Sequence, residues 1–322
     1  ISMTVDPQVQ AVIDAVTKAE AEGRPQSHEL SPEGARQFYF ETRGAVTPEP
    51  PDVALSVDIE IDGPAGPIAV RYYRPIGSEE NVALPVMIYF HGGGWVVGNI
   101  DTHDVVCRQL ANEGGFAVLN VDYRLAPEAK FPAGLDDCYA VVKWALEGAG
   151  GLKIIADRIA VAGDSAGGTL STVCAKMALD QGTPLAFQAL IYPATNMRHD
   201  TQSQIDFGEG YLLTKEAQAW YHEHYLSNDA ERDDWRASPI LIEDLSGLPP
   251  AYILTCGYDP LRDEGKAYAD RLAEAGVPVI YKCHEGMIHA FFTMGKVIDE
   301  TAIAIREVAQ HTKDAFQSLD IR

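Results

Sequence analysis

The chain has 322 residues, 46% hydrophobic and 22% charged. That is the balance of a folded globule, long enough for one large domain with an insertion or for two ordinary domains. Asp and Glu number 47 against 25 Lys and Arg, and a net charge of −22 repels phosphate backbones and anionic bilayers, so nucleic acid is not an expected partner. No run reaches the roughly 18 apolar residues of a membrane span, and Ile1-Ser2-Met3-Thr4 lacks the basic and apolar regions of a signal peptide. Met3 is read as the natural start, with Ile1-Ser2 an appended pair, and the cytoplasm as the expected location. Five cysteines at wide spacings, Cys107, Cys138, Cys174, Cys256 and Cys283, with no CxxC, read as reduced side chains and not as a disulfide framework or zinc site.

In chain order, residues 8–22 place Val9, Val12, Ile13 and Val16 on one helical face. Pro48, Pro50 and Pro51 interrupt the chain, and the pattern then turns to alternation. Residues 53–61 and 68–72 read as two strands around Asp62-Gly63-Pro64. Short apolar strands follow at 86–90, 117–121, 159–162, 187–191, 252–255 and 279–281. They alternate with helical patterns near 103–113, 134–147, 166–181, 262–275 and 297–316. Continuous apolar strands separated by amphipathic helices imply an α/β fold with a mostly parallel sheet covered on both faces, the opening hairpin supplying an antiparallel edge. Residues 194–247 are too long for an ordinary crossover. They carry Phe207, Tyr211, Trp220, Tyr221 and Tyr225 and a helical stretch near 214–226. With residues 1–45 they are expected to form a lid over the carboxyl edge of the sheet, where such folds bind ligands.

The segment Gly163-Asp164-Ser165-Ala166-Gly167 lies between a strand and a helix. This is G-x-S-x-G, a turn so sharp that the serine is strained and side chains at its two glycines would strike backbone. By itself the motif is weak, since a glycine-rich turn with an ordinary serine reads the same way. The strand at 86–90 ends in His91-Gly92-Gly93-Gly94, whose backbone N–H groups could hold a tetrahedral oxyanion; losing one such donor typically costs about 10²–10³ in rate. A phosphate loop is the rival. Gly92-x-Gly94-x-x-x-Gly98 is one residue too long for the dinucleotide fingerprint, and no Gly-Lys-Ser/Thr follows. His91 is given the lesser part of bracing the loop.

An acid and then a histidine should follow such a serine. His289 lies in the loop before the last helical pattern, among apolar residues, and is favoured as general base over His284, which is placed at a strand end. His284-Glu285 and His289 miss HExxH by one residue, and His222 and His224 point to different sides of a helix, so no metal site is read. Asp259, at the end of the preceding strand, is chosen to orient the imidazole over Asp263 and Glu264, which read as helix charges.

These motifs resemble the bacterial branch of the hormone-sensitive lipase family of esterases, an α/β-hydrolase fold. The resemblance runs from about Val53 to His289. It rests on His91–Gly94, Tyr123-Arg124-Leu125-Ala126-Pro127-Glu128, Gly163–Gly168, Asp259-Pro260-Leu261-Arg262-Asp263 and His289. It implies Ser165, Asp259 and His289 as a catalytic triad, with Gly93, Gly94 and Ala166 as oxyanion-hole donors. It also implies a cap from residues 1–45 and 194–247 over a catalytic domain of 46–193 and 248–322. The expected activity is hydrolysis of small-molecule esters with short- to medium-chain acyl groups, without cofactor or metal. A homodimer is expected on the resemblance alone. Ala290 departs from the family, which often has glycine after the histidine. An amidase or peptidase would use the same triad. A ligand-binding module, like the plant gibberellin receptor that resembles this family, would lack the histidine that His289 supplies here.

Overall fold

The alternating segment folds as the hairpin it predicts. In the computed structural model, which describes residues 4–321, β1 (Leu55–Gly63) and β2 (Gly66–Arg74) pair antiparallel. The reading of Met3 as the start falls outside the described residues. β2 pairs antiparallel with β4 (Ala117–Val121), so the hairpin forms one edge of an eight-stranded sheet. The other strands are β3 (Leu84–Phe90), β5 (Ile154–Asp164), β6 (Phe187–Ile191), β7 (Ala251–Tyr258) and β8 (Val279–Ile288). β3 to β8 are all parallel, and the sheet order is β1-β2-β4-β3-β5-β6-β7-β8.

Successive strand residues point to opposite faces, and both faces are apolar. Val86, Ile88 and Phe90 of β3 join one core, with α4 (Ala133–Leu146), α5 (Ala166–Asp180) and α8 (Arg262–Glu274) laid over it. Met87 and Tyr89 join the other, covered by α3 (Asp104–Gly114) and α9 (Glu300–Ser318). Chain order runs outward in opposite directions from β3 and β5, which places a topological switch point, and hence a crevice, beyond the carboxyl ends of those two strands. The fold is that of an α/β hydrolase.

Two elements differ from the sequence reading. Residues 23–52, read only as interrupted by prolines, contain a second N-terminal helix. α1 (Pro7–Ala21) is followed by α2 (Pro32–Val46), and each starts with proline at its first position behind a side chain that accepts a backbone N–H, Asp6 and Ser31. The last strand also does not stop at Tyr281. A register shift between Cys256 and Tyr258 lets β8 stay paired with β7 as far as Ile288. His284 is therefore inside the strand, bonded through Nδ1 to Glu300 at 2.9 Å, and His289 is the residue that leaves it. The insertion after β6 contains α6 (Gln202–Asp206) and α7 (Lys215–Tyr225) joined by irregular turns. The cysteines are free, four of them buried, and no described helix is long and apolar enough to cross a membrane.

Candidate active site

β5 ends at Asp164 and α5 starts at Ala166, leaving Ser165 alone between them with φ 56° and ψ −114°. The backbone crossing explains the flanking glycine. A Cβ on Gly167 would lie 1.8 Å from the carbonyl oxygen of Phe90. Any larger residue would force β3 and the turn apart, so close packing holds the serine in an unfavourable conformation. Ser165 N–H donates to the Ile191 carbonyl at 2.8 Å, which ties the turn to the next strand.

The three residues singled out from the sequence meet at this turn. Ser165 Oγ lies 2.9 Å from His289 Nε2, and His289 Nδ1 lies 2.8 Å from Asp259 Oδ2. Asp259 is fully buried, and its other oxygen accepts the Leu261 N–H at 2.9 Å, so the carboxylate is fixed before it meets the imidazole. His289 is also nearly buried, its ring packed 4.5 Å from that of Tyr192. The residue after it, Ala290, takes a left-handed conformation at φ 78°. The turn therefore keeps the geometry that glycine would adopt freely, with an alanine in it.

Gly93 and Gly94 sit across the crevice at φ 129° and 57°. A Cβ on Gly93 would fall 2.0 Å from the Val97 carbonyl oxygen, which accounts for glycine there. Their N–H groups find no acceptor among the described residues. Ala166 opens α5, and the first N–H groups of a helix have no partner within it. Three donors are thus free at the mouth of the switch point.

The loop that carries them is held from below. Asp164 is buried, and accepts from the Tyr89 hydroxyl at 2.7 Å and the Gly92 N–H at 3.0 Å; His103 Nε2 lies 3.0 Å from it. Burial pushes the Asp164 carboxyl up, but His103 and these donors outweigh it and hold the group below the usual carboxylate range. His91 stacks on Tyr123 at 4.4 Å, and its carbonyl accepts from the Tyr123 hydroxyl at 2.6 Å. Burial keeps its imidazole neutral, with a pKa of about 3. The rest of that motif is anchored too. Arg124 pairs with buried Asp137 at 2.9 Å, and Glu128 pairs with Arg36 of α2 at 2.6 Å. Arg36 also donates to the carbonyls of Val96 and Ala126, so α2 is tied directly to the segment that follows the glycine loop.

Above the serine lies a cavity of about 1150 Å³. α1, α2 and the segment around α7 line one side, and Ser165, His289, Gly93 and Gly94 the other. Tyr221 of α7 packs its ring directly over Gly94. Of the seven described non-glycine residues with positive φ, six line this cavity: Trp95, Ser165, Tyr192, His199, Leu212 and Ala290. Strain of this kind concentrates where surrounding structure is spent on function. Motif reading singled out only Ser165 for its backbone. Asp164, Tyr192 and His199 were missed, because each gains its place from contacts far along the chain. The His199 and His222 rings lie 4.5 Å apart, tilted by 47°, and burial keeps both imidazoles neutral near pH 7. No group of three or more metal-type ligands occurs among the described residues.

An eight-stranded, mostly parallel sheet with a strained serine at its switch point defines an α/β hydrolase, and the α/β-hydrolase fold family matches residues 87–293. The chain is 42% identical over 266 residues to the carboxylic ester hydrolase LipN of Mycobacterium tuberculosis, covering 80% of this chain and 70% of that one. It is 34% identical to ethyl acetate hydrolase of Pseudomonas putida, over 96% of this chain and all of the relative. The solved ester-hydrolase EH1AB1 from the metagenome of Lake Arreo superposes with a TM-score of 0.95 at 42% identity, over 98% of this chain and 100% of that one. The chain belongs to the hormone-sensitive lipase family of carboxylic ester hydrolases within the α/β-hydrolase fold.

Proposed function

We propose that the protein hydrolyses short- to medium-chain carboxylic esters through an acyl-enzyme on Ser165. The observation that carries this reading is the continuous relay from Asp259 through His289 to a serine Oγ 2.9 Å from the imidazole. His289 takes the Ser165 proton as Oγ attacks the ester carbonyl, and the N–H groups of Gly93, Gly94 and Ala166 hold the oxyanion. His289 then returns the proton to the departing alcohol. Water, deprotonated by the same imidazole, releases the acid and frees the serine. Asp259 holds the tautomer that leaves Nε2 facing the serine and stabilises the imidazolium.

The insertion 194–247 and residues 1–45 act in this reading as a cap on the catalytic part formed by 46–193 and 248–322. Their closure over a cavity of about 1150 Å³ supports a confined substrate, of the size of a short or medium acyl chain with its alcohol, over a bulky glyceride. The test is steady-state hydrolysis of chromogenic esters of increasing acyl length by the protein and by Ser165→Ala. Loss of about 10⁴-fold or more in kcat on every chain length is expected, with the highest kcat/KM at short to medium chains. Near-full activity in Ser165→Ala overturns the reading of Ser165, and a maximum at long chains overturns the substrate range.

A further inference from the structure

The cavity contains polar groups that acyl transfer does not use. Arg43, in the last turn of α2, lines it. Its Nε is buried without a hydrogen-bond partner, and its guanidinium lies 5.1 Å over the Tyr39 ring. No carboxylate of the described residues forms an ion pair with it, whereas Arg36 on the same helix is paired with Glu128. The second group is Tyr192. It is 1% exposed, lines the same cavity beside His289, and its hydroxyl has no partner. Its backbone is strained at φ 33°. A buried donor left without an acceptor is costly, and here two such atoms, Arg43 Nε and the Tyr192 hydroxyl, belong to residues that line one cavity with Ser165. Arg43 also opposes the rise that burial gives the Tyr192 phenol, as expected of a cation near it.

We propose that the cavity takes esters bearing a second, anionic group, of the kind a dicarboxylic half-ester carries, and that Arg43 and the Tyr192 hydroxyl receive that carboxylate while Ser165 attacks the ester carbonyl. An anion supplies acceptors to both groups at once, and charge-assisted bonds to guanidinium are the stronger kind. The volume accommodates an acyl chain with a terminal carboxylate as well as the alcohol. The four glutamates that line the cavity, Glu20, Glu41, Glu209 and Glu216, are all exposed to solvent, where salt screens them. In the reaction only the ester C–O bond breaks. The alcohol leaves with the proton from His289, water supplies the new hydroxyl, and the distal carboxylate is unchanged.

The proposal rests on the Ser165 reading and is tested separately from it. Ethyl hexanoate and monoethyl adipate share one acyl length and differ in a terminal carboxylate. Their kcat/KM values are compared for the protein, Arg43→Met, Arg43→Lys and Tyr192→Phe. The parent protein is expected to hydrolyse the half-ester at least as well as the neutral ester. In Arg43→Met the half-ester to neutral-ester ratio should fall by about tenfold or more, with the loss in KM, since an anion loses its cationic partner. Arg43→Lys should keep part of the ratio, and Tyr192→Phe should lower it by a smaller factor. The proposal fails if the parent protein rejects the half-ester, if Arg43→Met lowers both esters equally, or if the ratio does not move. Failure of the Ser165 reading looks different: Ser165→Ala would still hydrolyse ethyl hexanoate.

Discussion

Each side chain of the proposed relay is held by something other than its partner. Asp259 has one oxygen on the Leu261 N–H and the other on His289. Asp259→Asn preserves volume but removes the charge that stabilises the imidazolium and the acceptor that sets its tautomer. kcat on a short-chain ester is expected to fall by about 10³–10⁴ with little change in KM; a loss below tenfold would remove Asp259 from the relay. Ala290 offers a test in the opposite direction. Its φ of 78° is a conformation that costs an L-residue about 1–2 kcal/mol, while glycine gives back part of that through the freer unfolded chain. Ala290→Gly should add up to about 1 kcal/mol of stability, seen as a higher urea midpoint, and a lower midpoint would show the alanine methyl to be packed usefully.

Among the elements, the junction between the insertion and the sheet holds a buried carboxyl. Glu264, in the first turn of α8, is buried, and its Oε2 accepts the N–H groups of Thr195 at 2.7 Å and Asn196 at 2.9 Å. Burial pushes its carboxyl up to about 8, against the pull of those donors. The folded state therefore keeps a proton that the unfolded chain, at about 4.5, has released. The contribution is neutral below pH 4.5 and becomes unfavourable as pH rises towards 8, by roughly 1 kcal/mol per pH unit. Glu264→Gln can keep the two N–H contacts on its single carbonyl oxygen. The stability of the parent relative to this variant should fall between about pH 5 and pH 8, read from urea unfolding at each pH. A difference constant with pH would contradict it. The sequence reading placed Glu264 as a helix charge, because its partners lie about 70 residues earlier in the chain.

That distinction holds across the whole molecule. The sheet, its helices and the order serine, acid, histidine were legible because hydrophobic periodicity and strand-to-helix turns are local in sequence. The part of the strand beyond Tyr281 was not, since Lys282-Cys283-His284-Glu285-Gly286 is polar and only its pairing with β7 keeps it extended. Helix α2 was legible in principle from Ser31-Pro32, a cap followed by a first-turn proline, but the prolines at 48–51 drew the segment towards loop. The buried Asp164 network and the unpartnered Arg43 Nε and Tyr192 hydroxyl were beyond reach, because each is a property of convergence in space and not of spacing in sequence. The central claim is that the relay activates Ser165 and no other residue as the acylated nucleophile. A reactive p-nitrophenyl phosphonate, which a serine nucleophile displaces at phosphorus with release of nitrophenol, provides the direct measurement. Mass spectrometry after stoichiometric release of nitrophenol is expected to find one adduct, on the peptide containing Ser165, and none in Ser165→Ala. An adduct on a different residue, or no adduct in a protein that still hydrolyses esters, would contradict the account.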